Sequence, residues 1–160
     1  MALTTAQKTT LKAYILGDAT LNAQPNTNVG NSVVAAALNA LASPEFVVWK
    51  TSVSLTDVGK AFNGAEWAGM TSTNHTRLQS VALYASVVDP SKADIRAMFD
   101  DIWSGAGGAT TRTNLAAVWK RAALLIEKVF ATGTGTTVSP ATMGREGSIT
   151  ADEIEEARAS

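Results

Sequence analysis

The chain has 160 residues, of which 46% are apolar and 17% charged, so it is long enough to bury the core of one domain. Thirteen basic and fourteen acidic side chains leave a formal charge of −1, without the basic excess typical of nucleic-acid-binding proteins. The sequence has no cysteine and one histidine, His75, which excludes disulfides, thiol chemistry, cysteine-based zinc sites and sites built from several histidines.

Helix start signals predict helices in the first third of the chain. Alanine, the best helix former, occurs 28 times. Thr4-x-x-Gln7 is a capping-box pattern and predicts a helix to about Leu16, where a glycine follows. Residues 31–42 predict an alanine-rich helix, and Ser43-Pro44-Glu45 predicts the start of the next one.

Apolar residues at helical spacing predict helices in the rest of the chain. One stripe covers residues 78–88, and Asp89-Pro90 predicts the start of another helix that ends near residue 102. The longest stripe covers residues 111–131 and predicts a scaffold helix of roughly 30 Å. Thr150-x-x-Glu153 predicts a capping box that opens a short terminal helix.

These patterns predict an all-α fold, a compact multi-helix bundle with a Gly/Thr/Pro-containing arm and a short C-terminal helix. Residues 46–49 and 53–55 are candidates for short strands, but no Asn-Gly turn joins them. We expect a helical domain over 1–131, an extended loop or arm over 132–148, and a short acidic helix over 149–160.

Charge is distributed unevenly along the second half of the chain. Residues 111–131 contain four basic side chains and one acidic, whereas residues 132–160 contain two basic and five acidic. The tail is therefore expected to be an acidic helix on a flexible tether. It either folds back on its own domain, reaches a neighbouring molecule, or remains a solvated terminus.

The candidate chemical motifs favour structural roles. The glycine-rich residues 105–108 precede a predicted helix, but they follow another helix and lack the Gly-Lys-Ser/Thr of a phosphate-binding loop. Asp100 and Asp101 are adjacent on a helix, so their carboxylates diverge. His75 lies in a polar run typical of a helix start. We therefore expect no catalytic residue, no cofactor, no metal site and no enzymatic activity.

Protein-interface candidates come from two parts of the sequence. Trp67 and Trp103 lie beside small residues near predicted helix ends, and tryptophan is enriched at interfaces, although core packing is the alternative for each. In the arm and terminal helix the candidates are Arg145, Glu146, Ile149 and Ile154. A basic face formed by Arg112, Lys120, Arg121 and Lys128 lacks interleaved exposed aromatic residues, so no nucleic-acid specificity is expected.

The location of the protein is predicted from its apolar stretches. The longest of them fall far short of the roughly 20 residues that a membrane-spanning helix needs. The first twelve residues have neither the apolar core nor the cleavage site of a signal peptide. We therefore expect a soluble protein, made in the cytoplasm without export and without a membrane partner.

Several distinctive segments resemble a group of small, mostly uncharacterised proteins encoded in tailed-bacteriophage genomes, and the resemblance runs along essentially the whole chain. None of the segments is a catalytic or ligand motif. The segments are Ala2–Gln7, Leu11–Ile15, Asn22–Asn26, Ser43–Val53, Ser104–Arg112, Glu127–Thr136 and Ser139–Gly144.

The resemblance implies a virion structural protein made in the host bacterial cytoplasm. More specifically, the resemblance implies a small head–tail connector or tail component that acts in a ring through protein–protein contacts. The implied partners are other virion proteins, such as portal, connector or tail components, together with further copies of the chain. Two alternatives remain open, a capsid decoration (cement) protein and a non-virion regulator or inhibitor that binds a host protein.

Overall fold

A computed structural model of the chain describes residues 2–160, which form ten α-helices, a short 3-10 helix at Ala106–Gly108 and six short strands. The helices are α1 (Thr5–Gly17), α2 (Ala19–Asn22), α3 (Asn28–Leu38), α4 (Leu55–Lys60), α5 (Gly64–Ala68), α6 (Ser72–Tyr84), α7 (Ala93–Ile102), α8 (Ala109–Val118), α9 (Leu125–Val129) and α10 (Ala151–Ala159). The strands are β1 (Val47–Trp49), β2 (Val53–Ser54), β3 (Val87–Val88), β4 (Lys120–Ala122), β5 (Ala131–Thr132) and β6 (Thr142–Met143).

The prediction of an all-α fold is wrong, because the strands pair into three two-stranded antiparallel sheets, β1–β4, β2–β3 and β5–β6. Helices account for 56% of the chain and strands for 11%, so the fold is mixed. The register of β2–β3 pairs Val53 with Val88, residues far apart in sequence. Strands of two or three residues are too short to show the alternation by which a strand is recognised.

The single long helix predicted over residues 111–131 is also wrong. Helix α8 ends at Val118, and the following residues form β4 before α9 begins. Backbone groups that would continue the helix bond elsewhere: Trp119 accepts a hydrogen bond from Lys50 N at 2.8 Å, and Ala123 N donates one to Phe46 O at 2.8 Å. Pairing with another segment outweighs the helical periodicity here.

The helix start predicted at Ser43-Pro44-Glu45 is wrong as well. The Ser43–Pro44 peptide bond is cis, and the chain continues into β1 rather than into a helix. By contrast, both predicted capping boxes are confirmed. Thr4 Oγ1 accepts from Gln7 N and Thr150 Oγ1 accepts from Glu153 N, each at 3.2 Å.

The chain divides into two compact units, and the arm and terminal helix predicted at 132–160 fall within the first of them. Unit 1 comprises residues 1–48 and 122–160. Its core forms where α1, α3, α9 and α10 pack together, and Leu11, Val34, Leu38, Ile126 and Ile154 are completely buried. A smaller cluster joins Val48, Ala123 and Ala141.

Unit 2 is the continuous segment 49–121. Its core is built from the β2–β3 pair and helices α4, α6, α7 and α8. The buried residues are Val53, Val58, Ala61, Leu78, Val88, Phe99, Ile102, Trp103, Leu115 and Trp119. Within residues 2–160, no helix has both the length and the apolarity that a membrane crossing requires.

Candidate protein-interaction surfaces

Unit 2 contains a solvent-open apolar cavity of about 160 Å³. Helices α4, α5, α6 and α7 and the turn after α4 supply its walls. Gln79 is the one polar lining residue; the others are Leu55, Val58, Phe62, Trp67, Leu78, Val81, Ala82 and Phe99. An open cavity lined by apolar side chains is a place where an apolar group of a partner can leave water.

Local capping and aromatic packing position Trp67 at the edge of this cavity. The Asn63 side chain caps α5 by accepting from Ala65 N and Glu66 N, each at 3.1 Å. The Trp67 ring stacks on Phe62 with 5.5 Å between centroids and meets the His75 ring edge-on at 4.6 Å. Trp67 remains 38% exposed, so part of its indole is available to a partner.

Glu66, the neighbour of Trp67, fastens α5 to α8. Its two carboxylate oxygens accept from Thr110 N and Thr111 N, each at 2.8 Å, in the first turn of α8. Desolvation raises the pKa of Glu66, but the hydrogen bonds from Thr111 and Thr110 outweigh it and lower the pKa to about 2. A carboxylate held ionised at a helix N-terminus is a fixed structural element.

Apolar side chains are also exposed just beyond the cavity. Leu83 is 76% exposed and Tyr84 88% exposed in the last turn of α6, and Val87 is exposed in β3. Val81 and Ala82 of the same helical turn line the cavity. Large apolar side chains clustered at the surface are typical of contact sites.

Unit 1 exposes apolar side chains on α3 and at the tip of the β5–β6 hairpin. Val29 and Val33 lie on the outward face of α3. Val138, in the loop between β5 and β6, is 93% exposed. The loop is fixed by its own hydrogen bonds, because Thr134 Oγ1 donates to Ser139 O at 3.0 Å and Ser139 N donates to Thr136 Oγ1 at 2.9 Å.

The remainder of the arm packs inside unit 1. Val47 N donates to Gly135 O at 2.7 Å, and Ala141 N donates to Val47 O at 2.9 Å. Ala141 is completely buried. Of the three placements left open for the tail, the structure shows the one in which it folds back on its own unit.

The structure separates the six interface candidates into buried and accessible residues. Trp103, Ile149 and Ile154 are buried in the cores of their own units, so their side chains contribute packing. The guanidinium of Arg145 forms two hydrogen bonds with the Glu153 carboxylate, at 2.9 and 3.0 Å. Glu146 is exposed, and Trp67 is the candidate that lines the cavity.

Sequence reasoning missed Leu83, Tyr84, Val87 and Val138 as surface residues. For Leu83 and Tyr84, the sequence feature that indicates surface exposure is that apolar residues lie on more than one side of α6 in its last turn. For Val138 the signal is an isolated branched apolar residue in a run of threonine, serine, glycine and proline.

The charged residues with possible chemistry have structural partners. Arg112 donates to Trp103 O and Gly105 O and so closes the loop between α7 and α8. Asp101 pairs with Arg77 at 2.8 Å. In the part of the chain that the structure describes, no three histidine, aspartate or glutamate residues are grouped so that they could hold a metal ion.

The chain matches no family model, no curated protein and no solved structure.

Proposed function

We propose that this protein is a non-enzymatic structural component of a tailed-bacteriophage virion, a small head–tail connector or tail protein that works in a ring through protein–protein contacts. The observation that carries the proposal is the apolar cavity of unit 2 together with the exposed Leu83, Tyr84 and Val87 beside it. Large apolar side chains at a surface favour contact with another protein. The resemblance of the sequence segments supplies the virion setting.

The way in which charged residues are used also supports a contact protein. Glu66 and Arg112 are tied to backbone groups of their own unit, and Arg145 is paired with Glu153. These side chains hold helix ends and loops in place. They give the fold a fixed surface, which a repeated docking contact requires.

The arm contributes to such contacts through its tip. Removing residues 133–160 would also remove Ile149 and Ile154 from the core of unit 1, so that truncation would unfold the unit and would not report on assembly. Substitutions of exposed residues are the suitable variants.

The proposal is tested by quantitative mass spectrometry of purified virions. Six or twelve copies per particle are expected for a connector or tail ring. Several hundred copies would overturn this assignment in favour of a capsid decoration protein. Absence from the particle would overturn both structural roles and favour a regulator or inhibitor that binds a host protein.

The accompanying variant is the double substitution Leu83→Ser and Tyr84→Ser, which removes the exposed apolar groups beside the cavity. We expect the variant chain to fold and to be lost from particles, whereas Glu155→Gln, at an exposed position of α10, should be incorporated normally. Normal incorporation of the double variant would contradict a role for this surface.

A further inference from the structure

We propose that two copies of this chain join head to tail, with Val138 at the hairpin tip of one copy inserted into the apolar cavity of unit 2 in the next copy. The inference rests on the proposed function and deepens it, because it names the contact by which copies form a ring. The chain itself carries both halves of this contact.

The hairpin tip has the properties of an inserting group. Val138 is the most exposed large apolar residue among those the structure describes, at 93%. Its loop is held by the hydrogen bonds from Thr134 and Ser139 described above, by one from Thr136 N to Ser139 O at 3.1 Å, and by the one that Gly135 O accepts from Val47 N. An apolar side chain on a loop that is already ordered loses little conformational entropy when it binds.

The cavity matches such a group in size and character. Eight of its nine lining residues are apolar and none is charged. Apolar cavities of about 150 Å³ in proteins stay dry and admit a molecule of the size of benzene. A cavity of about 160 Å³ that opens to solvent therefore has room for the isopropyl group of a valine.

The charges of the two units favour this pairing between copies. Unit 1 has five basic and eight acidic side chains, a formal charge of −3. Unit 2 has eight basic and six acidic side chains, a formal charge of +2. Contact of unit 1 with unit 2 of another copy thus brings opposite net charges together, whereas pairing like units would repel. Residues 132–144, which include the tip, contain no charged side chain, so insertion strands no charge in the cavity.

A contact of this kind uses different surfaces on the two partners. Such heterologous contacts close into rings when the rotation from one copy to the next allows it. Each copy supplies one tip and one cavity, and the same contact repeats around the ring.

The test compares the self-association of purified chains by sedimentation velocity over a range of concentrations. In Val138→Asp the tip is charged, and in Ala82→Trp an added indole fills the cavity. We expect each variant to fold, as judged by circular dichroism. The dissociation constant for self-association of each variant should be at least about tenfold higher than that of the wild type, because burial of a valine side chain accounts for about that factor. The matched control is Val29→Asp, which makes the same change at an exposed valine elsewhere in unit 1, in α3. This variant should associate like the wild type.

Mixing the two variants gives the sharper result. Val138→Asp keeps an intact cavity and Ala82→Trp keeps an intact tip, so the mixture should form one-to-one dimers and nothing larger. Wild-type chains that remain monomeric at millimolar concentration would overturn the inference, and so would unchanged association of either variant. Loss of association in Ala82→Trp alone would mean that another segment occupies the cavity, which also overturns it.

The outcomes for the inference and for the proposed function are separable. Hundreds of copies per virion with intact tip-in-cavity dimers would overturn the connector or tail role and leave the contact standing. Six or twelve copies per virion with normal assembly of Val138→Asp would leave the role standing and overturn the contact.

Discussion

The two units of this protein hold their cores together in different ways. Unit 1 is made of two chain segments separated by the whole of unit 2, and side chains tie the segments to each other. Asn39 donates to Ile149 O and accepts from Ile149 N, each at 2.8 Å, across 110 positions of sequence. Arg158 donates to the carbonyl oxygens of Leu21, Gln24 and Pro25 and to the Asn31 side chain.

Unit 2 is one continuous segment, and its interior is less completely filled and paired. It contains the apolar cavity, and the buried Nε1 atoms of Trp103 and Trp119 have no hydrogen-bond partner among the described residues. A buried donor without a partner costs stability. The difference indicates that unit 1 is organised for a fixed core and that unit 2 retains space and apolar surface that a partner can use.

The largest expected difference between the units comes from making the same leucine-to-alanine substitution in the two cores. Leu38 of unit 1 is fully buried, whereas Leu78 of unit 2 lines the existing cavity. We expect Leu38→Ala to lower the free energy of unfolding by about 4–5 kcal/mol and Leu78→Ala by about 2–3 kcal/mol, because a residue that already borders a cavity loses fewer contacts. Urea denaturation followed by far-ultraviolet circular dichroism measures both, because helices in both units contribute to that signal. Equal losses would mean that the two cores are equally well packed.

Two glycines with positive φ give the second comparison. Gly135 in unit 1 has φ +66° and Gly105 in unit 2 has φ +72°. A Cβ at 135 would overlap the Phe46 ring, whereas one at 105 would meet open space. With ψ −171°, Gly105 lies in a region that almost only glycine adopts, so backbone strain alone costs Gly105→Ala about 1–3 kcal/mol. Overpacking against Phe46 adds to the strain at 135 and brings Gly135→Ala to about 3–4 kcal/mol. Melting temperatures of the two variants are the measurement, and a larger loss at 105 would contradict the packing described for the arm.

Arginine-to-lysine substitutions test how strongly each unit depends on its guanidinium ties. Arg158→Lys removes the fork that serves four acceptors, and we expect a loss of about 2 kcal/mol. Arg112→Lys affects two carbonyls in unit 2 and should cost about 1 kcal/mol. Chemical denaturation at neutral pH compares them. A larger effect at Arg112 would show that unit 2, and not unit 1, relies more on such ties.

The smallest expected effect is a dependence on pH that Glu66 gives to unit 2. Its pKa is about 2 in the folded chain and 4.5 as an ordinary glutamate, so its stabilising contribution is complete above pH 4.5 and is lost as the pH falls towards 2. Glu66→Gln should therefore flatten the unfolding free energy of the protein between these pH values. Glu155→Gln, an exposed position in unit 1, controls for the loss of one negative charge. An unchanged slope in Glu66→Gln would contradict the capping of α8 by this carboxylate.

Part of the fold could be read from local sequence. The capping boxes at Thr4 and Thr150 were predictable because each depends on residues three positions apart. The helix near Phe99 and Ile102 was predictable for the same reason, since its apolar face repeats within one element. Of the surface residues, Trp67 could be proposed from its residue type alone.

What the sequence by itself determined was therefore the helix starts at the two capping boxes, Thr4 and Thr150, the absence of cysteine chemistry and the near balance of total charge. Tertiary structure decided where the residue 111–131 stripe breaks, because bonds to Phe46 and Lys50 replace helical ones. It also decided that Ile149 and Ile154 are core and that Val138 is surface, since burial depends on segments more than a hundred positions away. Local patterns record interactions within a few residues, whereas pairing and burial are settled only when distant segments meet.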